Sequence, residues 1–213
     1  GWIIIAVAFV TMAIAVNART SFSLLFPAIL AEFHWDRSVI AGAFSIGFVA
    51  SGLFTPVVGM IMDRWGPRGV IPMGATMVIA GLLGATAVTN PLGVYATLGV
   101  LVISGSIAMS YISHSMFLPN WFVRKRGLAI GIAFSGVGFG SITLLPWFQN
   151  VINTEGWRQA CIIIAASVVI IIPLAAYFQR RSPADLGLKP DGDGAISDTD
   201  SHKAIDPIVD RKW

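Results

Sequence analysis

Six apolar stretches, each long enough to cross a bilayer, leave this chain very few ways to fold. They fall at residues 2–31, 39–62, 69–89, 91–119, 127–151 and 159–178, and a helix needs about 20 apolar residues to span the hydrocarbon core. Within lipid every backbone N–H and C=O has to be satisfied inside the segment, which an α-helix achieves and a lone strand does not. The breaks are short and polar: EFHWDR at 32–37, DRWGPR at 63–68, TNP at 89–91, NWFVRKRG at 120–127 and NTEGWR at 153–158. The expected fold is an all-α membrane protein, with residues 1–178 forming a bundle of six transmembrane helices. The first stretch is too long for a signal-peptide core and no small-residue cleavage site follows it. It is therefore expected to stay in place as a membrane helix.

Charge placement sets the expected orientation. Only 12% of the 213 residues are charged against 55% hydrophobic, and more than half of those charges lie in residues 179–213. A net charge of +3 would be compatible with nucleic acid, but no basic patch with interleaved aromatics occurs, and the cations sit at the ends of apolar stretches. They read as topology signals. Alternate loops carry Arg64, Arg68, Arg124, Lys125, Arg126, Arg180 and Arg181 on one side and only Arg37 and Arg158 on the other. The first side is expected in the cytoplasm, together with the N-terminus and the tail. Residues 179–213, with SPADLGLKPDGDGAISDTD, have little to bury and are expected to form a disordered cytoplasmic linker. Cys161 is the single cysteine, and no Cys and His spacing suits a metal, so neither a metal site nor a cofactor is expected. His34, His114 and His202 lie far apart with no acidic or thiol partner at useful spacing. Enzymatic chemistry is not expected.

Two polar clusters interrupt the apolar stretches. VNARTSF, residues 16–22, places Arg19 about 25 Å along a helix from Trp2, where an arginine costs about 2.5–3.5 kcal/mol on insertion scales. Asn17, Thr20, Ser21 and Ser23 surround it with hydrogen-bonding groups that a lipid-facing anchor would not need. Arg19 and Asn17 are expected to face a polar cavity and bind an anion, the alternative being that Arg19 snorkels to the outer surface. SGSIAMSYISHS, residues 104–115, places Ser104, Tyr111 and Ser115 at helical spacing. Tyr111 can donate to a carboxylate, and His114 is the second candidate there. Glu32, Asp36, Asp63 and Glu155 all fall in the expected loops. No carboxylate that could carry a proton is thus expected within the six apolar stretches, so that a proton carrier would have to be His114 or a group outside them.

Two further strings carry a family resemblance. In GMIMDRWGPRG, residues 59–69, Gly59 permits close backbone approach, Asp63 ends an apolar helix with an anion, Gly66 and Pro67 turn the chain, and Arg64 and Arg68 add fixed positive charge. In NWFVRKRGLAIGIAFSGVGFG, residues 120–140, Trp121 and Phe122 read as interfacial aromatics, followed by Arg124, Lys125 and Arg126. Gly127 and Gly131 then stand four apart, as do Gly136 and Gly140, a spacing that lets helices pack backbone to backbone in lipid.

The first string resembles the G-x-x-x-D-R-x-G-x-R loop motif of the major facilitator superfamily, with Pro67 where a basic residue is common. The second is similar to the start of helix five in monocarboxylate transporters and oxalate/formate antiporters. RRSPADLGLKPDGD, residues 180–193, resembles the family's exit from helix six, and DRKW, residues 210–213, the run-up to helix seven. The resemblance spans the whole sequence and implies the N-terminal half of a twelve-helix transporter, its six helices arranged as a 3+3 inverted repeat, with a second six-helix half as partner. It further implies a secondary transporter in the plasma or bacterial inner membrane. Such a protein moves a small organic anion, a mono- or dicarboxylate, by alternating access, as antiporter or proton symporter. Arg19 would meet the substrate carboxylate, and Asp63 would join a cytoplasmic charge cluster that latches the outward-open state. A self-contained six-helix channel or sensor subunit is the alternative.

Overall fold

The computed structural model describes residues 1–122, 124–180 and 182–183. The apolar stretches become six helices long and apolar enough to cross a membrane: α1 (Trp2–Phe33), α2 (Arg37–Trp65), α3 (Pro67–Thr86), α4 (Pro91–Trp121), α5 (Arg126–Glu155) and α6 (Trp157–Phe178). No strand occurs among the described residues. Most of the helices run a few residues past the apolar stretches, because a helix continues for as long as its hydrogen bonds do. Glu32, Asp63 and Glu155, expected in loops, accordingly sit in the last turns of α1, α2 and α5. Nearly all of the expected linker, residues 184–213, lies outside the described residues.

Two of the connections are single residues. Gly66 at φ 68° joins α2 to α3, and Gly156 at φ 88° joins α5 to α6, both in a region that glycine enters without a Cβ clash. Pro67 follows as the first residue of α3, where its missing N–H has no intrahelical partner to lose.

α4 is irregular. Asn90 caps its start, accepting the Gly93 N–H at 2.8 Å. A π-helical run, Tyr95–Val102, leads into Ile103–Ala108. The helix then breaks at Met109 and Ser110 and resumes as Tyr111–Trp121.

Packing centres on α1, which runs along α5 and also touches α6, while α3 lies against α4 and α6, and α2 against α4. A Cβ at Gly140 would stand 2.5 Å from the Ala13 carbonyl oxygen and the Asn17 Nδ2, and one at Gly136 would overlap the Phe9 carbonyl. The helices are in backbone contact there. Gly127 and Gly131, expected to pack likewise, meet nothing within 4 Å, and neither does Gly59. A side chain at any of these three would enter open space. α2 also exposes Phe48, Val49 and Leu53, and α5 exposes Ile132, Phe139 and Ile142. Trp121 and Phe122, expected at the interface, are only 3% and 2% exposed. The Trp121 indole can go inside because its N–H donates to the Arg180 carbonyl at 2.9 Å.

Candidate functional site

α1 sorts its polar cluster by helical position. Residues 19, 20, 23 and 27 lie on one side, and there Arg19 is half-buried while Thr20 and Ser23 are exposed. Arg19 makes no hydrogen bond or ion pair to any described residue. Thr20 turns its hydroxyl back onto the Val16 carbonyl at 2.9 Å, a common way for a hydroxyl in a membrane helix to satisfy itself. On the inner side Asn17 is fully buried. Its Nδ2 donates to the Ala13 carbonyl at 2.7 Å and to Val137 of α5 at 3.2 Å, and its Oδ1 accepts from Ser141 at 2.9 Å. Asn17, expected beside Arg19 at the substrate, instead fastens α1 to α5 with both ends of its amide. Two positions along a helix is about 200°, which carries the two side chains to opposite faces.

α4 splits its candidates in the same manner. Tyr111 is 39% exposed, its ring set edge-on to Phe134 of α5 at 4.8 Å between centroids, and Ser115 is exposed one turn on. Ser104, expected on the same face, is buried with its hydroxyl unpartnered. The π-helical run and the break at Met109 and Ser110 change the phase of the helix between them. His114 is fully buried, with Nδ1 3.1 Å from the Ser110 carbonyl and Nε2 3.4 Å from Gln179 Nε2. It stands inside the bundle, away from the open face that carries Tyr111.

At the end of the bundle where α2 meets α3, Asp63 and Arg64 are exposed, and Asp63 is engaged in polar contacts. Arg68 reaches α6, Nη2 donating to the Tyr177 carbonyl at 2.9 Å. The basic loop is thereby fastened to the last turn of α6. Arg124 and Arg126 are exposed at the same end.

Two features had no signal in the sequence. Gln179, expected as the first residue of the linker, is fully buried against α1 and α4. At the opposite end Arg158 is a cross-link and not merely a topology signal. It pairs with Glu32, donates from Nε to the Thr86 carbonyl at 3.1 Å, and lies 4.4 Å from the Trp157 ring. Trp157 donates to Glu32 as well, at 2.6 Å. The ends of α1, α3 and α6 are thus held by one guanidinium. With about 40% of each charged side chain exposed, the ion pair alone is worth under about 1 kcal/mol. Adding the carbonyl bond and the stacking, Arg158→Ala is expected to destabilise the bundle by about 1 kcal/mol. Arg158→Lys is expected to recover little of that in denaturant titrations, since an ammonium cannot serve all three partners. Full recovery by lysine would show that charge alone matters.

Comparison with known proteins places this architecture. The Major Facilitator Superfamily profile matches residues 7–209. The bovine protein called "Monocarboxylate transporter 13" is 28% identical over 185 residues, which take in 87% of this chain and 43% of the relative. The human "Monocarboxylate transporter 11" is 31% identical, with 83% and 37% covered. The Bacillus subtilis (strain 168) protein called "Uncharacterized MFS-type transporter YcxA" is 27% identical, with 85% and 45% covered. The chain therefore spans less than half the length of the curated relatives it matches. With six apolar helices in one bundle and a family match that runs nearly from end to end, the chain belongs to the major facilitator superfamily.

Proposed function

We propose that this chain is the N-terminal half of a secondary transporter that carries a small organic anion, a mono- or dicarboxylate, by alternating access between two six-helix halves. The observation that carries the reading is Arg19: a guanidinium about midway along a 32-residue apolar helix, half-buried, unpartnered among the described residues and accompanied on its face by Thr20 and Ser23. Such a charge is costly in a bilayer unless a polar cavity or an anion offsets it. Its planar fork suits a carboxylate. Tyr111, held edge-on by Phe134 on the open face of α4, is the second proposed contact. The names of the mammalian relatives agree with this substrate class, and the excess of cations at the end where α2 meets α3 supports a cytoplasmic position for that end.

The test is uptake of a panel of labelled carboxylates, sugars and cations by the full-length protein in liposomes. Uptake of carboxylates supports the reading, and uptake restricted to sugars or cations overturns it. Stimulation by a pH gradient would mark symport with protons, and stimulation by anion on the far side would mark exchange. Asp63→Asn is expected to slow that uptake several-fold with membrane insertion unchanged, because it removes a charge at the proposed cytoplasmic gate and replaces an exposed side chain in the last turn of α2 with one of the same shape. Unaltered rates would remove Asp63 from the gate.

A further inference from the structure

Beside the last turn of α6 the surface opens into an apolar groove of about 290 Å³. Ile4 of α1 and Trp121 of α4 are its buried walls, and Ile3 of α1 with Tyr177 and Phe178 of α6 its exposed ones. The Trp121 indole N–H already donates to the Arg180 carbonyl, so that wall presents carbon to a ligand. Arg180, half-buried, completes the lining.

The groove sits at a defined depth. α6 is 22 residues long and rises about 33 Å, against a hydrocarbon core of about 30 Å. Its last turn, with Tyr177 and Phe178, therefore stands where acyl chains give way to headgroups. Exposed Trp2, Trp65 and Tyr177 lie at the same end of the bundle, as aromatic side chains do at that boundary. Arg180, two residues past the helix, falls at the level of the lipid phosphates.

Charge at this end has one sign. Among the described residues it carries Arg64, Arg68, Arg124, Lys125, Arg126 and Arg180 against Asp63 alone, and Asp63 does not line the groove. Arg68 is committed to the Tyr177 carbonyl, and a cation at the carbonyl end of a helix needs no ligand to account for it. Arg180 has no such use. Its guanidinium makes no hydrogen bond or ion pair to a described residue.

A ligand for this groove has to be apolar along one part and anionic at the other. We infer that the groove holds a phospholipid with an anionic headgroup, an acyl chain lying against Ile3, Ile4, Trp121 and Phe178 and the headgroup phosphate on the Arg180 guanidinium, whose planar fork suits phosphate. A zwitterionic lipid offers the same chain and the same phosphate but adds an ammonium that the surrounding cations repel, so the site selects by net charge. One arginine near a membrane surface favours anionic lipid by about fivefold. The inference needs neither Arg19 nor the carboxylate reading.

The test is native mass spectrometry of the full-length protein, titrated in detergent with dioleoyl phosphatidylglycerol or dioleoyl phosphatidylcholine and read on the first bound lipid. The anionic lipid is expected to bind about fivefold more tightly than the zwitterionic one. Arg180→Gln is expected to bring the two to parity, while Arg64→Gln, which removes the same charge from the end of α2, leaves the preference intact. Ile3→Ser is expected to weaken both lipids alike, and glycerol phosphate, which lacks acyl chains, is expected not to compete. No preference for the anionic lipid, a preference that survives Arg180→Gln or one lost equally in Arg64→Gln would each overturn the site, the last by showing that the cations of the whole end select the lipid. Unchanged affinities in Ile3→Ser would remove the acyl chain from the groove and overturn it as well. Competition by glycerol phosphate would overturn it in favour of a soluble phosphate ligand, and retention of no lipid in favour of another segment of the full-length chain filling the groove.

Discussion

Arg19→Gln is expected to weaken anion binding by at least about 30-fold and to reduce carboxylate uptake to near background, with the protein still inserted and folded. The expectation follows from α1: the guanidinium makes no hydrogen bond or ion pair to a described residue, so its removal strips none from the bundle, whereas losing a charged partner from a carboxylate contact costs about 2–5 kcal/mol. Arg19→Lys is expected to keep the charge and lose the fork, retaining about a tenth of the wild-type affinity. Affinity measured for wild type, lysine and glutamine variants in liposomes separates this from snorkelling. If Arg19 only reached for the membrane surface, lysine would serve equally well and glutamine would impair insertion more than affinity. Wild-type affinity in Arg19→Gln would sink the assignment.

The second large effect is expected at the α1–α5 contact. Gly136→Leu or Gly140→Leu is expected to abolish assembly of the bundle, because the new Cβ alone would run into the Phe9 or the Ala13 carbonyl, and backbone cannot yield as a side-chain tip can. Overpacking of side chains in a core already costs about 1–3 kcal/mol, and here two helices would be forced apart, breaking the Asn17 bonds to Val137 and Ser141 with them. Gly131→Leu is the internal control. It meets nothing within 4 Å and is expected to leave folded yield unchanged in this half. Equal yield from Gly136→Leu, Gly140→Leu and Gly131→Leu would show that α1 and α5 do not touch as described.

Much of the fold was legible in the chain of residues. The number of helices, their approximate ends and the glycine turn at Gly66 follow from two facts of physical chemistry: lipid forces backbone hydrogen bonds inside each segment, and a residue without Cβ enters positive φ at little cost. The family resemblance was legible for a related reason, since the acidic, basic and glycine residues of residues 59–69 and 120–140 are conspicuous against an apolar background.

Which way each polar residue points was not legible. A soluble helix advertises its inner face by being apolar there and polar outside, but in a membrane both faces are apolar and the periodic signal disappears. Asn17 and Arg19 therefore look alike as a cluster in VNARTSF, yet tertiary packing turns one into a fastener between α1 and α5 and leaves the other on the open face. Gly127 and Gly131 likewise match Gly136 and Gly140 in spacing, and only the position of α1 makes the second pair indispensable. His114 and Gln179 lie 65 residues apart, and nothing local in either could announce the other. The sequence by itself determined that this chain crosses a membrane six times and where. The tertiary structure alone decided which of its few polar groups hold the helices together and which lie on an open face, because in lipid that choice rests on contacts between helices and not on the polarity of any one of them.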